Sequence, residues 1–124
     1  MSETKRVSCH CGAVQLEVDF PDGFGQPMRC NCSLCRRKGA IMIGVPVDSV
    51  RVVQGADRLS LYQWNTRVAE HYFCSRCGIY THHRRRRDPG QIGINAGCIE
   101  GVDPNAFGEV PVIDGASLSL VEGR

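Results

Sequence analysis

Seven of the eight cysteines in this 124-residue chain are crowded into three short groups. The groups are Cys9-x-Cys11, Cys30-x-Cys32-x-x-Cys35 and Cys74-x-x-Cys77, with Cys98 standing alone. An even count permits four disulfides. However, sulfurs one or two residues apart converge on one centre more readily than they reach separate partners. The first residues, Met1-Ser2-Glu3-Thr4-Lys5-Arg6, carry no apolar stretch of the kind a signal peptide needs. The expected location is therefore cytoplasmic, where disulfides are uncommon and clustered cysteines bind metal or do redox chemistry.

A Cys-x-Cys pair on an extended strand points both sulfurs to one face. Cys35, reached through Ser33-Leu34, can then fold back toward Cys30 and Cys32. Three thiolates make an incomplete zinc cage, because a closed structural site takes four ligands and a catalytic site leaves a position open. Two partitions follow. In one, Cys9, Cys11, Cys74 and Cys77 close a four-thiolate site and Cys30, Cys32 and Cys35 hold a second metal. In the other, two of the triplet join Cys74 and Cys77, and Cys9 and Cys11 have no role. The first employs every clustered cysteine and is preferred. Zinc with three thiolates is a monoanion, and an incoming thiolate would double that charge unless a cation stood close. Arg36 and Arg37 follow the third thiolate directly. They are read as a fork for a substrate anion, or as solvated surface charge. Cys98 is open to three readings: a fourth ligand, a nucleophile, or a buried small hydrophobe.

The remaining pattern is that of a mainly β chain, expected as a single compact zinc-bearing domain over residues 1–124. Val14, Leu16, Val18 and Phe20 alternate with Gln15, Glu17 and Asp19, which predicts a half-buried strand over residues 13–20. Pro21-Asp22-Gly23-Phe24-Gly25 reads as a turn. Residues 28–32 predict a short strand running into the triplet, closed by a turn of helix. The apolar run 40–45 predicts a strand buried on both faces. Further short strands are expected at 50–53, 59–64, 68–73, 79–83 and 91–95, with a helical turn near Asp103-Pro104 and weak alternation at 117–121. Short antiparallel strands with turns between them, and no long helical period, make an all-β domain. No apolar run reaches the ~20 residues of a membrane span, and a net charge of +2 does not argue for nucleic acid.

Four stretches together resemble one known family: Cys9-His10-Cys11-Gly12-Ala13-Val14, Cys30 through Arg37, Phe73-Cys74-Ser75-Arg76-Cys77-Gly78, and Asn95-Ala96-Gly97-Cys98. This is the glutathione-dependent formaldehyde-activating enzymes, also called S-(hydroxymethyl)glutathione synthases, to which centromere protein V belongs. The resemblance spans about Val7 to Asp103. It implies a fold similar in outline to methionine sulfoxide reductase B and two zinc ions per chain. The structural zinc would sit on Cys9, Cys11, Cys74 and Cys77, and the catalytic zinc on Cys30, Cys32 and Cys35. It further implies a carbon–sulfur lyase reaction, with glutathione as co-substrate and a small thiol or aldehyde as partner.

A second reading makes the chain a non-catalytic carrier of glutathione, another thiol or zinc. A third takes His82-His83-Arg84-Arg85-Arg86-Arg87 as a nucleic-acid patch. Four arginines before Asp88-Pro89-Gly90 are too narrow a footprint without interleaved aromatics, and nucleic acid is not the expected partner. His82 and His83, adjacent on a strand, face opposite sides, so at most one can point toward the triplet. His71 and Trp64 are read as structural.

Overall fold

A computed structural model describes residues 3–63, 69–85 and 90–118. The fold is mainly β. Three antiparallel strands form the first sheet, in the order β1 (Glu3–Ser8), β2 (Gln15–Phe24) and β5 (Val50–Gln54). Five form the second, in the order β4 (Met42–Pro46), β9 (Gln91–Asn95), β8 (Tyr80–Arg84), β7 (Glu70–Cys74) and β6 (Leu59–Tyr62). A two-residue parallel ladder joins β3 (Arg29–Cys30) to β10 (Val112–Ile113). Among the described residues the only α-helix is α1 (Ser33–Lys38).

The alternation in β2 does what its period requires. Val14, Leu16, Val18 and Phe20 are all fully buried, and they share one core with Ile43, Val45, Ile92 and Ile94 of the second sheet. Cys9, Cys74, Cys98 and Ile99 lie in the same core, so the thiols of Cys9 and Cys74 and the apolar packing are one body. Leu16→Ala should therefore lower stability by about 3 kcal/mol, the usual cost of a buried leucine cavity. Urea denaturation would read this as a lower midpoint at an unchanged slope.

Two local expectations need correction. The Pro21–Phe24 stretch belongs to β2, which continues to Phe24. Its partner β1 ends its pairing at Phe20, so the missing proline N–H leaves no ladder bond unmade there. The strand near residues 40–45 is β4, and it is buried on both faces only at its start. Met42 and Ile43, on opposite faces, are both buried; beyond them Val45 stays in the core while Gly44 and Pro46, on the Met42 face, are exposed. The helical turn near Asp103 is present at Pro104–Phe107, capped by Asp103, whose side chain accepts from the Asn105 amide at 3.0 Å. Trp64, Val68 and Arg86 to Pro89 lie outside the described residues, as does the stretch from residue 119.

Candidate metal centres

Cys9 and Cys11 do not sit on a strand. β1 ends at Ser8, and residues 9–12 turn, with the Gly12 amide donating to the Cys9 carbonyl at 3.2 Å. Residues 74–78 make the matching turn, closed by the Gly78 amide on the Cys74 carbonyl at 2.8 Å. Both turns end on a glycine at φ near +80°, which other residues rarely adopt. The four sulfurs of Cys9, Cys11, Cys74 and Cys77 all lie within 4.8 Å of one another. Cys9–Cys11 is 3.7 Å and Cys11–Cys74 is 3.8 Å. Two thiolates on one zinc, each bonded at ~2.3 Å in tetrahedral geometry, stand ~3.8 Å apart. The donor set fits that ion. Backbone amides also aim at the sulfurs: Val14 at Cys9 (3.3 Å), and Arg76 (3.3 Å) and Cys77 (3.5 Å) at Cys74. Such donors favour the thiolate that a metal requires.

The triplet forms a second group, its three sulfurs again mutually within 4.8 Å. Cys30 ends β3, Cys32 caps α1 in an extended conformation, and Cys35 lies within the helix. The Cys35 amide donates to Cys32 Sγ at 3.3 Å and the Cys32 amide points at Cys30 Sγ at 3.5 Å. Hydrogen bonds from Cys30 and Cys35 hold the Cys32 thiol at about 2, far below its ordinary value, while the same sharing pushes Cys35 up. Cys30 is pushed up as well, so the three sulfurs share one negative charge, placed on Cys32.

The chain's C-terminal part closes over it, a contact that the turn-rich composition did not announce. Asn31, between the first two cysteines, accepts from the Ala116 amide at 2.9 Å and donates to Asp114 Oδ1 at 3.2 Å. Gly115 comes so near that a Cβ there would stand 2.5 Å from Cys30 Sγ.

The cation facing the triplet is Lys38. Arg36 and Arg37 are exposed, and Arg37 donates to the Ser33 carbonyl of its own helix at 2.8 Å. Lys38 is half-buried. Its Nζ donates to His71 Nδ1 at 3.1 Å and sits 3.6 Å from the centre of the Tyr80 ring. Burial lowers its pKa, and the charges of Cys35, Cys32 and Cys30 oppose that drop. The sequence held a signal for it, since a residue three positions after Cys35 shares its helix face.

A register shift between β7 and β8 near Tyr72–Phe73 puts Tyr80 and His83 on the same face. The Tyr80 hydroxyl meets His83 Nδ1 at 2.5 Å, and His83 stacks on His71 with ring centres 5.3 Å apart. Gly93, opposite His83 in the ladder, makes room, because a Cβ there would strike the imidazole. His82 faces the other way and stacks on Tyr72 at 4.8 Å. All three histidines are buried, so a surface role for His82 or His83 is ruled out. Cys98 joins neither thiol group: it is buried, accepts from Asn95 Nδ2 and donates to the Tyr80 carbonyl, both at 3.5 Å. Burial pushes its thiol up to about 12.

Buried neutral histidines make acid costly. Burial, helped by Lys38, lowers His71 to about 4, and burial alone lowers His82 to about 4. Between that value and the unfolded value near 6.5 the unfolded chain binds more protons, so stability rises with pH across this window. It is fully present above 6.5 and lost as pH falls toward 4, by about 3 kcal/mol for each group. Urea midpoints at pH 7 and pH 5 should show this fall. His82→Phe, which keeps the stack on Tyr72, should make it shallower; an equal fall in the variant would remove His82 from the account.

Residues 4–110 match the sequence profile of the glutathione-dependent formaldehyde-activating enzyme family. A Halomonas elongata protein provisionally named for that activity is 41% identical over 80 residues, covering 56% of this chain and 49% of its own length. A Penicillium rubens protein with the same provisional name is 26% identical over 121 residues, covering 94% of this chain and 62% of its own. The chain thus spans about half to three-fifths of the length of these relatives. A crystal structure of a Rhodobacter sphaeroides protein superposes with a TM-score of 0.85 at 51% identity, covering 87% of this chain and 99% of that one. With a profile that runs through all three cysteine groups, the chain belongs to the glutathione-dependent formaldehyde-activating enzyme family.

Proposed function

We propose that this chain is a two-zinc carbon–sulfur lyase acting on an adduct of the S-hydroxymethylglutathione type. The observation that carries the reading is a three-thiolate group with a cation packed beside it, separate from a four-thiolate group that is complete in itself. Cys9, Cys11, Cys74 and Cys77 hold a structural zinc that ties the end of β1 to the end of β7. Cys30, Cys32 and Cys35 hold the working zinc. Bound there, zinc supplies Lewis acidity toward an aldehyde oxygen or holds a thiolate sulfur.

In the synthetic direction the sulfur of a thiol adds to formaldehyde. A carbon–sulfur bond forms, the carbonyl π bond opens, and the proton released by the thiol ends on the new hydroxyl. Lys38 offsets the charge of the thiolate cluster as the substrate thiolate arrives. His71 holds Lys38 in place through Nδ1, which accepts because an ammonium has only donors. Arg36 and Arg37 are exposed and remain available to a substrate anion arriving from solvent.

The test is zinc content and turnover, measured together on protein purified without added metal, for the wild type and Cys32→Ser. The expected result is two zincs falling to one, with loss of adduct formation from glutathione and formaldehyde and a folded protein. Full turnover in the variant would overturn the reading. Glutathione binding without turnover in the wild type would leave a carrier in its place.

A further inference from the structure

The row of groups beside the triplet does not end at His83. Gly44 pairs with Gly93 across β4 and β9, and each glycine has a flat polar side chain lying over it. At Gly93 this is the His83 imidazole. At Gly44 it is the Arg85 guanidinium, whose Nη2 would stand 2.8 Å from a Cβ placed there. Lys38 of α1, His71 of β7, His83 of β8 over Gly93, and Arg85 just beyond β8 over Gly44 thus follow one another across the sheet, with a cation at each end. From β7 to β4 the row crosses three strand spacings, roughly 14 Å.

Arg85 lines a cleft of about 330 Å³ between the end of β2 and β4. Phe24, Met28, Val45 and Pro46 give it apolar walls, and Gln91 adds an amide beside the guanidinium. An arginine next to a turn ordinarily extends into water. This one is half-buried against the strand, and no carboxylate pairs with it among the described residues. Such a half-buried guanidinium has hydrogen-bonding capacity left for an anion, and its planar fork fits a carboxylate.

We propose that this cleft is a binding site for the carboxylate of a small aliphatic acid, with Arg85 as its anchor, and that it receives the end of the substrate remote from the sulfur. The site itself stands on the cleft and Arg85; that its ligand is the thiol substrate rests on the function proposed above. Arg85 selects among thiols, since a thiol lacking the carboxylate leaves the guanidinium unpaired.

The experiment is a titration of isotope-labelled, zinc-loaded protein with butyrate and with butyramide, followed on the backbone amides by NMR. Butyrate is expected to shift Gly44, Gln91 and Gly93 in a saturable way, and butyramide at the same concentrations to leave them in place. Arg85→Gln should weaken the butyrate response at least tenfold. Gly44→Ala should do so too while keeping the charge, because its Cβ displaces the guanidinium. Equal shifts from acid and amide in the wild type would overturn the proposal whether or not either variant folds. So would an undiminished butyrate response in a folded Arg85→Gln. The same titration on Cys32→Ser separates the two readings. The butyrate shifts should persist there, and their loss would assign them to the triplet metal and overturn the cleft site.

Discussion

Cys74→Ser is expected to be the most destabilising single change in this protein. Its sulfur is fully buried, receives two backbone amides, and stands 3.8 Å from Cys11 in the four-thiolate group. Serine there removes one of the four thiolates proposed to hold a structural metal and leaves a hydroxyl in the apolar core. Structural zinc sites contribute apparent binding energies on the order of 10 kcal/mol. Losing even half of that would bring a small domain close to unfolding. The expected observation is a melting temperature lower by about 20 °C or more, or no folded protein at all. Wild type stripped by a strong chelator should approach the same state. A variant melting within a few degrees of wild type would show that this group does not hold the fold together.

Lys38→Met is expected to have the largest effect on activity with the least on stability. Methionine keeps an unbranched stem over the Tyr80 ring but removes the half-buried cation beside the triplet. On the function proposed above, the thiolate cluster without it accumulates charge as a substrate thiolate arrives, and turnover should fall about 100-fold, the scale of losing one positioned charge in a dry site. A second readout does not depend on turnover. Lys38 is one of the causes that depress His71, after burial, so the His71 titration should move up toward its ordinary value in Lys38→Met. Unchanged turnover together with an unmoved His71 would dismiss Lys38 as the counter-charge.

Much of this organisation was legible in the residue pattern. The period-two run in β2 identified its buried face, because a half-buried strand must alternate. The tight spacing of the cysteines marked them as metal-type groups, because short loops can only converge on one point. The helical turn after Cys32 was legible as well.

Other features had no local signature. The Cys9–Gly12 turn is not the extended pair that Cys-x-Cys spacing suggested, yet its sulfurs meet because the turn closes on Gly12 rather than because the strand pleats. Arg36 and Arg37 drew attention by proximity in sequence, whereas the side chain that faces the thiols is set by the rotation of α1 on the second sheet.

What the sequence by itself determined was the family, the mainly β class and the identity of the clustered thiols, since each depends on residues close together in the chain. Only the tertiary structure decided that Tyr80 and His83 share a face, that Gly115 closes on Cys30, and that Arg85 lies over Gly44 at the mouth of a cleft. Gly115 and Arg85 reach residues far from them in sequence, and Tyr80 and His83 share a face through the register shift between β7 and β8. A one-residue slip would turn each side chain to the other face of its sheet, and no local pattern specifies that register.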